Sequence, residues 1–196
     1  MNWDLALEIF GTIIGLIYLY YEYKAHRLLW VMGIIMPAVS LGVYYNAGLY
    51  ADMGINAYYI IAGIYGYLVW TFKNKQRREV ELPITHAPRR IYVYSTAITI
   101  CLFAIIYYIL EYHTDSTVPL WDALSTALSV TAMWMLARKY IEQWGVWIVV
   151  DAISVALYIY KGIYFYAVLY ALYIVIAILG YFNWLKIMKN EHNKPL

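Results

Sequence analysis

Charge is what this sequence has least of. Only 13% of its 196 residues are charged, where a soluble domain carries about a quarter. Fourteen basic and twelve acidic side chains leave a net charge of +2. That balance is too small to attract nucleic acid, and nothing in the chain resembles a basic recognition element. Cysteine is nearly absent too. Cys101 is the single one, set inside an apolar run, so no disulfide forms within the chain and the thiol reads as a small buried apolar group. The four histidines, His26, His86, His113 and His192, fall outside the long apolar runs. A zinc centre would need clustered Cys and His ligands, and none are present. Serines occur in the apolar runs, but none has a visible base to activate it as a nucleophile. A phosphate-cradling glycine loop followed by Lys-Ser or Lys-Thr is also missing. Enzyme chemistry, a bound cofactor and transport driven by the chain's own nucleotide hydrolysis are therefore not expected.

Apolar and aromatic residues fill the space. They make up 64% of the chain, with twenty-four tyrosines and eight tryptophans, and the mean hydropathy is +0.60. Seven runs are long enough to cross about 30 Å of hydrocarbon: about 4–22, 28–48, 52–72, 91–110, 119–137, 142–160 and 163–186. Lipid offers no partner for a free backbone group, so each run closes its hydrogen bonds within itself as a helix. The alternating ten-residue strands of a membrane barrel are not seen. The expectation is an all-α integral membrane protein with seven transmembrane helices in one domain. Asp4 and Glu8 stand where a signal peptide would carry basic residues, so the first run reads as a retained helix.

Orientation follows from the basic residues. With the N-terminus outside and the C-terminus cytoplasmic, thirteen of the fourteen fall on the inner side, including Lys73, Lys75, Arg77, Arg78, Arg89 and Arg90 of the 73–90 segment; Lys161 alone falls outside. Changing the helix count by one would split these clusters across the membrane. The chain also matches itself at an offset of 114 residues. GYLVW (66–70) falls on GYFNW (180–184), Trp30 on Trp144, Ser40 on Ser154, Tyr44 on Tyr158, Tyr59 on Tyr173, and Glu8 on Asp122. One fixed offset predicts a 3+1+3 parallel repeat, the plan of sugar transporters built from three-helix units. Its parts are repeat 1 (4–72), a linker with helix four (73–110) and repeat 2 (119–186). Helix four, without a partner in the repeat, is expected to be a peripheral connector.

The densest constellation lies in WGVWIVVDAISVALYIYKG (144–162). Trp144, Trp147, Asp151, Ser154 and Tyr158 are spaced three, four, three and four, which puts them on one helical face. A carboxylate in mid-span costs about 2.5–3.5 kcal/mol on insertion scales, so it faces a cavity or a partner. With two indoles one or two turns away, it suits a planar aromatic cation, each ring attracting the charge by about 0.5–2 kcal/mol. The alternative is that Asp151 bonds a neighbouring helix and the tryptophans sit at an interface. Asn56 and Tyr59 on helix three either line the same cavity or bond a neighbour, and Gly63 and Gly66 beside them suggest close helix packing. Asp122 and Glu8, near the outer surface, read as solvated entrance charges that favour arrival of a cation.

The helix-six segment, with its Trp-x-x-Trp-x-x-x-Asp pattern (Trp144, Trp147, Asp151), resembles the PnuC family of bacterial vitamin transporters, as do the GYLVW and GYFNW helix ends and the three-plus-one-plus-three plan. The resemblance covers essentially the whole chain. It implies facilitated diffusion of an unphosphorylated vitamin across the bacterial inner (plasma) membrane, trapping by a cytoplasmic kinase, and a homotrimer. Nicotinamide riboside is the leading substrate, because that is what the best-known members move, and thiamine, carried by relatives, is the alternative. A membrane sensor or assembly subunit without transport is the reading from a different class.

Overall fold

The structure is a computed structural model that describes residues 3–47, 50–72 and 82–192, with side chains described at 10, 12–42, 56–72 and 82–190. Seven helices follow one another: α1 (Trp3–Tyr23), α2 (Leu28–Ala47), α3 (Tyr50–Phe72), α4 (Arg89–His113), α5 (Pro119–Ala137), α6 (Gln143–Tyr160) and α7 (Tyr164–His192). No strand occurs among the described residues. Each helix coincides with an apolar run to within a few residues, except that α7 continues through the polar residues Lys186, Lys189 and Asn190. Among the described residues α4, α5, α6 and α7 are long and apolar enough to cross a bilayer, and Leu28–Gly42 is a shorter apolar stretch. The fold is all-α and membrane-spanning.

Two compact units divide the chain, residues 1–83 and 84–196. In the first, α1 packs on α2 and α2 on α3. The α1–α2 turn closes with Ala25 at φ 52, a left-handed conformation that is uncommon outside glycine, and the His26 ring accepts the Leu28 N–H at 3.3 Å to start α2. The glycine face of α3 is a packing surface. A Cβ built on Gly63 would meet the Ile34 side chain at 2.6 Å, and one on Gly66 would meet the Trp30 ring at 2.4 Å. Trp30 is 1% exposed and stands edge-on to Trp70, with centroids 5.7 Å apart at 90°.

In the second unit, α4 packs on α5, α5 on α6 and α6 on α7. The features of the α1–α2 turn and the α2–α3 seam recur here at the 114-residue offset. Lys139, at φ 53, turns the chain between α5 and α6. Trp144, 1% exposed, stands edge-on to Trp184 at 5.6 Å and 88°. A Cβ on Gly180 would meet its ring at 2.6 Å. Close approach of helices through small residues is how membrane helices gain dispersion contact when lipid supplies no hydrophobic drive between them.

Helix α4 has no buried residue. It touches α5 along a hydroxyl stripe, where the Thr99 and Thr131 hydroxyls meet at 2.6 Å, while Val93, Ile98 and Ile100 are exposed. This overturns the reading of Cys101, which is exposed rather than buried. Two residues beyond Thr99, it points away from the α5 contact, and an apolar run in lipid need not be buried in protein. A short strap, residues 84–88, ties the start of α4 to the α5–α6 turn. Thr85 bridges Tyr140 in parallel, through Thr85 N–H to the Lys139 carbonyl and Ile141 N–H to the Thr85 carbonyl, both 3.1 Å.

Candidate functional site

Helix α6 is sharply two-faced. Gln143, Trp144, Val150, Asp151 and Ser154 are buried; Gly145, Val149, Ala152, Ala156 and Tyr160 are exposed. Burial therefore falls on the face that carries the polar residues, and the outer face is small and apolar, as expected of a helix with lipid on one side and protein on the other. Asp151 is 6% exposed. Ser154 is bound within its own helix, its hydroxyl donating to the Val150 carbonyl at 3.0 Å, and it keeps an oxygen able to accept.

Around this face α7 supplies a tyrosine cluster. Tyr158 stacks on Tyr166 at 5.4 Å and 26°, and lies 5.3 Å from Tyr170. Tyr170 in turn lies 5.4 Å from Tyr173. Tyr170 shares a hydrogen bond with Tyr158 and lies, like Tyr173, within electrostatic reach of Asp151. The Asp151 carboxylate therefore has the phenol groups of Tyr170 and Tyr173 near it, and Tyr170 links them to Tyr158. Among the described residues no group of His, Cys, Asp and Glu side chains is arranged to hold a metal ion.

Trp147, Asp151, Ser154 and Tyr158 lie at helical spacing along one face of α6; Trp147 is half-buried and, among the described residues, its buried Nε1–H has no hydrogen-bond partner. Trp144, the expected second stacking ring, is 1% exposed, set against the Gly180 backbone and edge-on to Trp184. Trp30 takes the equivalent place in the first unit against Gly66 and Trp70.

In the first unit Asn56 and Tyr59 are both half-buried on α3. Tyr59 lies 5.6 Å from Tyr58. It is also near Tyr18, which has the buried Glu22 beside it. Asp122 is half-buried and tied down: it accepts the Ser116 hydroxyl at 2.9 Å, so it serves the α4–α5 loop as well as any entrance. Glu8 lies in α1, its side chain outside the described ones.

Sequence reasoning passed over three groups. Tyr166, Tyr170 and Tyr173 were visible as a stripe at helical spacing, but their meeting with Tyr158 and Asp151 is tertiary. Gln143, one residue before the segment singled out on α6, is wholly buried. Glu142, just before α6, is the strap's anchor: His86 Nδ1 lies 2.8 Å from one carboxylate oxygen and Ala87 N–H donates to the other at 3.0 Å. Burial alone would raise the Glu142 carboxyl. The hydrogen bonds from Ala87, His86 and Tyr92 outweigh it and hold the group below its ordinary value.

The family profile described as nicotinamide mononucleotide transporter matches residues 5–186. Among similar proteins, the nicotinamide riboside transporter PnuC of Escherichia coli is 22% identical over all of this chain and 92% of its own. The riboflavin/roseoflavin transporter RibM of Streptomyces davaonensis is 24% identical over 90% of this chain and 83% of its own. The crystal structure of the vitamin B3 transporter PnuC superposes with a TM-score of 0.72 at 21% identity, covering 96% of this chain and 84% of that one. The relatives are transporters, not enzymes, and the solved structure shares the fold described above. The chain belongs to the nicotinamide mononucleotide transporter family, the PnuC family of integral membrane proteins.

Proposed function

We propose that this protein carries an unphosphorylated vitamin, nicotinamide riboside, across the bacterial plasma membrane by facilitated diffusion, with a cytoplasmic kinase trapping it. The observation that carries this reading is the buried Asp151 carboxylate within reach of Tyr170 and Tyr173, with Trp147 and Tyr158 at helical spacing on either side of it along α6. A flat aromatic cation satisfies both halves of such a site: the carboxylate offsets its charge and the rings take its faces. No lysine or arginine lies within α3 or α6. A nucleotide phosphate would meet the Asp151 charge with nothing to balance it, which favours the riboside over the mononucleotide. Asn56 and Tyr59 are proposed as substrate contacts, and Asp122 and Glu8 as entrance charges. The 3+1+3 repeat gains support from the wedged tryptophans, the facing glycines and the left-handed turn residues that recur at one offset. Thirteen basic residues on one side support an outer N-terminus and cytoplasmic C-terminus, and the family resemblance supports a homotrimer.

Thiamine is the second reading, because it too is a flat aromatic cation and the Asp151 site does not separate the two. Uptake of radiolabelled nicotinamide riboside, thiamine and riboflavin into liposomes holding the purified protein tests the proposal. Nicotinamide riboside should equilibrate without concentrating and accumulate only when a kinase and ATP are enclosed. Accumulation against a gradient without a kinase refutes facilitated diffusion. Entry of none of the three refutes vitamin transport and favours the sensor or assembly role.

A further inference from the structure

Gln143 is a buried amide with nothing to bond. It is fully buried, and neither Oε1 nor Nε2 has a hydrogen-bond partner among the described residues. Burying an amide in this way is unfavourable and needs an explanation. Packing does not supply one. The position 114 residues earlier is Leu29, also fully buried and also beside a wedged tryptophan, so an apolar side chain fills the equivalent space. What Gln143 does share is a line. With Trp147 and Asp151 it is spaced i, i+4, i+8, a stripe along the polar face of α6 about 12 Å long. The next group on that line, Trp147 Nε1–H, is also buried and without a partner. Two unsatisfied groups in succession lie between the Asp151 carboxylate and the α5–α6 turn, a polar stripe that would offer a solute a path.

We propose that Gln143 is a substrate-contacting and specificity-determining residue. It hydrogen-bonds, on the α5–α6 side of the path, a ligand group that both donates and accepts, such as a carboxamide or a sugar hydroxyl. A side-chain amide presents one acceptor and two donors, so it matches such a group and discriminates against an apolar edge. Its contact follows the Asp151 contact along the path: the carboxylate selects the cation, and the amide selects the polar group attached to it. The inference rests on the transport reading above.

The test uses the full chain with Gln143→Leu and, as a variant of closely matched length, Gln143→Met. Nicotinamide riboside binding is measured by calorimetry and melting temperature in the same detergent. Both variants should melt at or above the wild-type temperature and bind nicotinamide riboside roughly five- to tenfold more weakly. Unchanged affinity overturns the proposal. A lower melting temperature, at any affinity, also overturns it, because the amide then braces a neighbour. A wild-type protein that binds none of nicotinamide riboside, thiamine and riboflavin removes the transport reading itself and this inference with it, a result distinct from loss confined to the variants.

Discussion

Replacing Gly180 by alanine tests whether Trp144 packs helices or holds substrate. The added Cβ would stand 2.6 Å from Cη2 and Cζ2 of Trp144 and 2.8 Å from Cζ3, where carbon atoms need about 3.5–4.0 Å. About an ångström of movement is required, and the ring has no free space to take it. It is 1% exposed and Trp184 stands edge-on at 5.6 Å. The α6–α7 seam must open instead, at an overpacking cost of about 1–3 kcal/mol. For a chain of this size each kcal/mol moves the melting temperature by about 2–4 °C, so Gly180→Ala should melt about 2–12 °C lower in detergent. The decisive arm is the Trp144→Leu background. Without the indole the clash is gone, and Gly180→Ala should cost little or even stabilise, since alanine favours a helix over glycine by about 1 kcal/mol. An equal loss in both backgrounds would refute the wedge. Unchanged melting with weakened ligand binding would return Trp144 to the substrate site.

Asp151→Asn keeps shape and hydrogen bonding but deletes the charge, so binding of a cationic vitamin should fall while neutral riboflavin is affected less; a change confined to melting temperature would make Asp151 a brace between helices. Trp147→Ala should weaken cation binding by about 1–2 kcal/mol, roughly five- to thirtyfold by calorimetry, and undiminished affinity would place the ring outside the site. Because the folded Glu142 carboxyl lies below its ordinary value of 4.5, its contribution is complete above about that pH and is lost as pH falls through the folded value. The wild-type melting temperature should accordingly drop below about pH 4.5 more steeply than that of Glu142→Gln, and parallel curves would show that the strap contributes no such dependence. A cysteine introduced at Thr85 should resist membrane-impermeant maleimide in intact cells and react once they are lysed; labelling from outside would invert the orientation.

Class, helix count and helix limits were legible in the sequence for a local reason. In lipid each segment must satisfy its own backbone, so an apolar run of sufficient length is a helix whatever its neighbours do. The mid-span Asp151 was legible in the same way, because a lone carboxylate there is conspicuous against its surroundings. The roles of Trp144 and Trp147 were not. They are the same residue type, three positions apart on one face, and only the place of Gly180 on α7 decides that one ring is wedged while the other keeps part of its surface. The tyrosine stripe of α7 looked like any aromatic stripe until packing brought Tyr170 beside Tyr158 and Asp151. The His86–Glu142 tie joins residues 56 positions apart, beyond any periodicity. Sequence alone determined which segments cross the membrane, since hydropathy and backbone hydrogen bonding act within a segment. Which side chains are wedged between helices and which keep open surface was decided by tertiary structure, because that depends on the shape of the opposing helix.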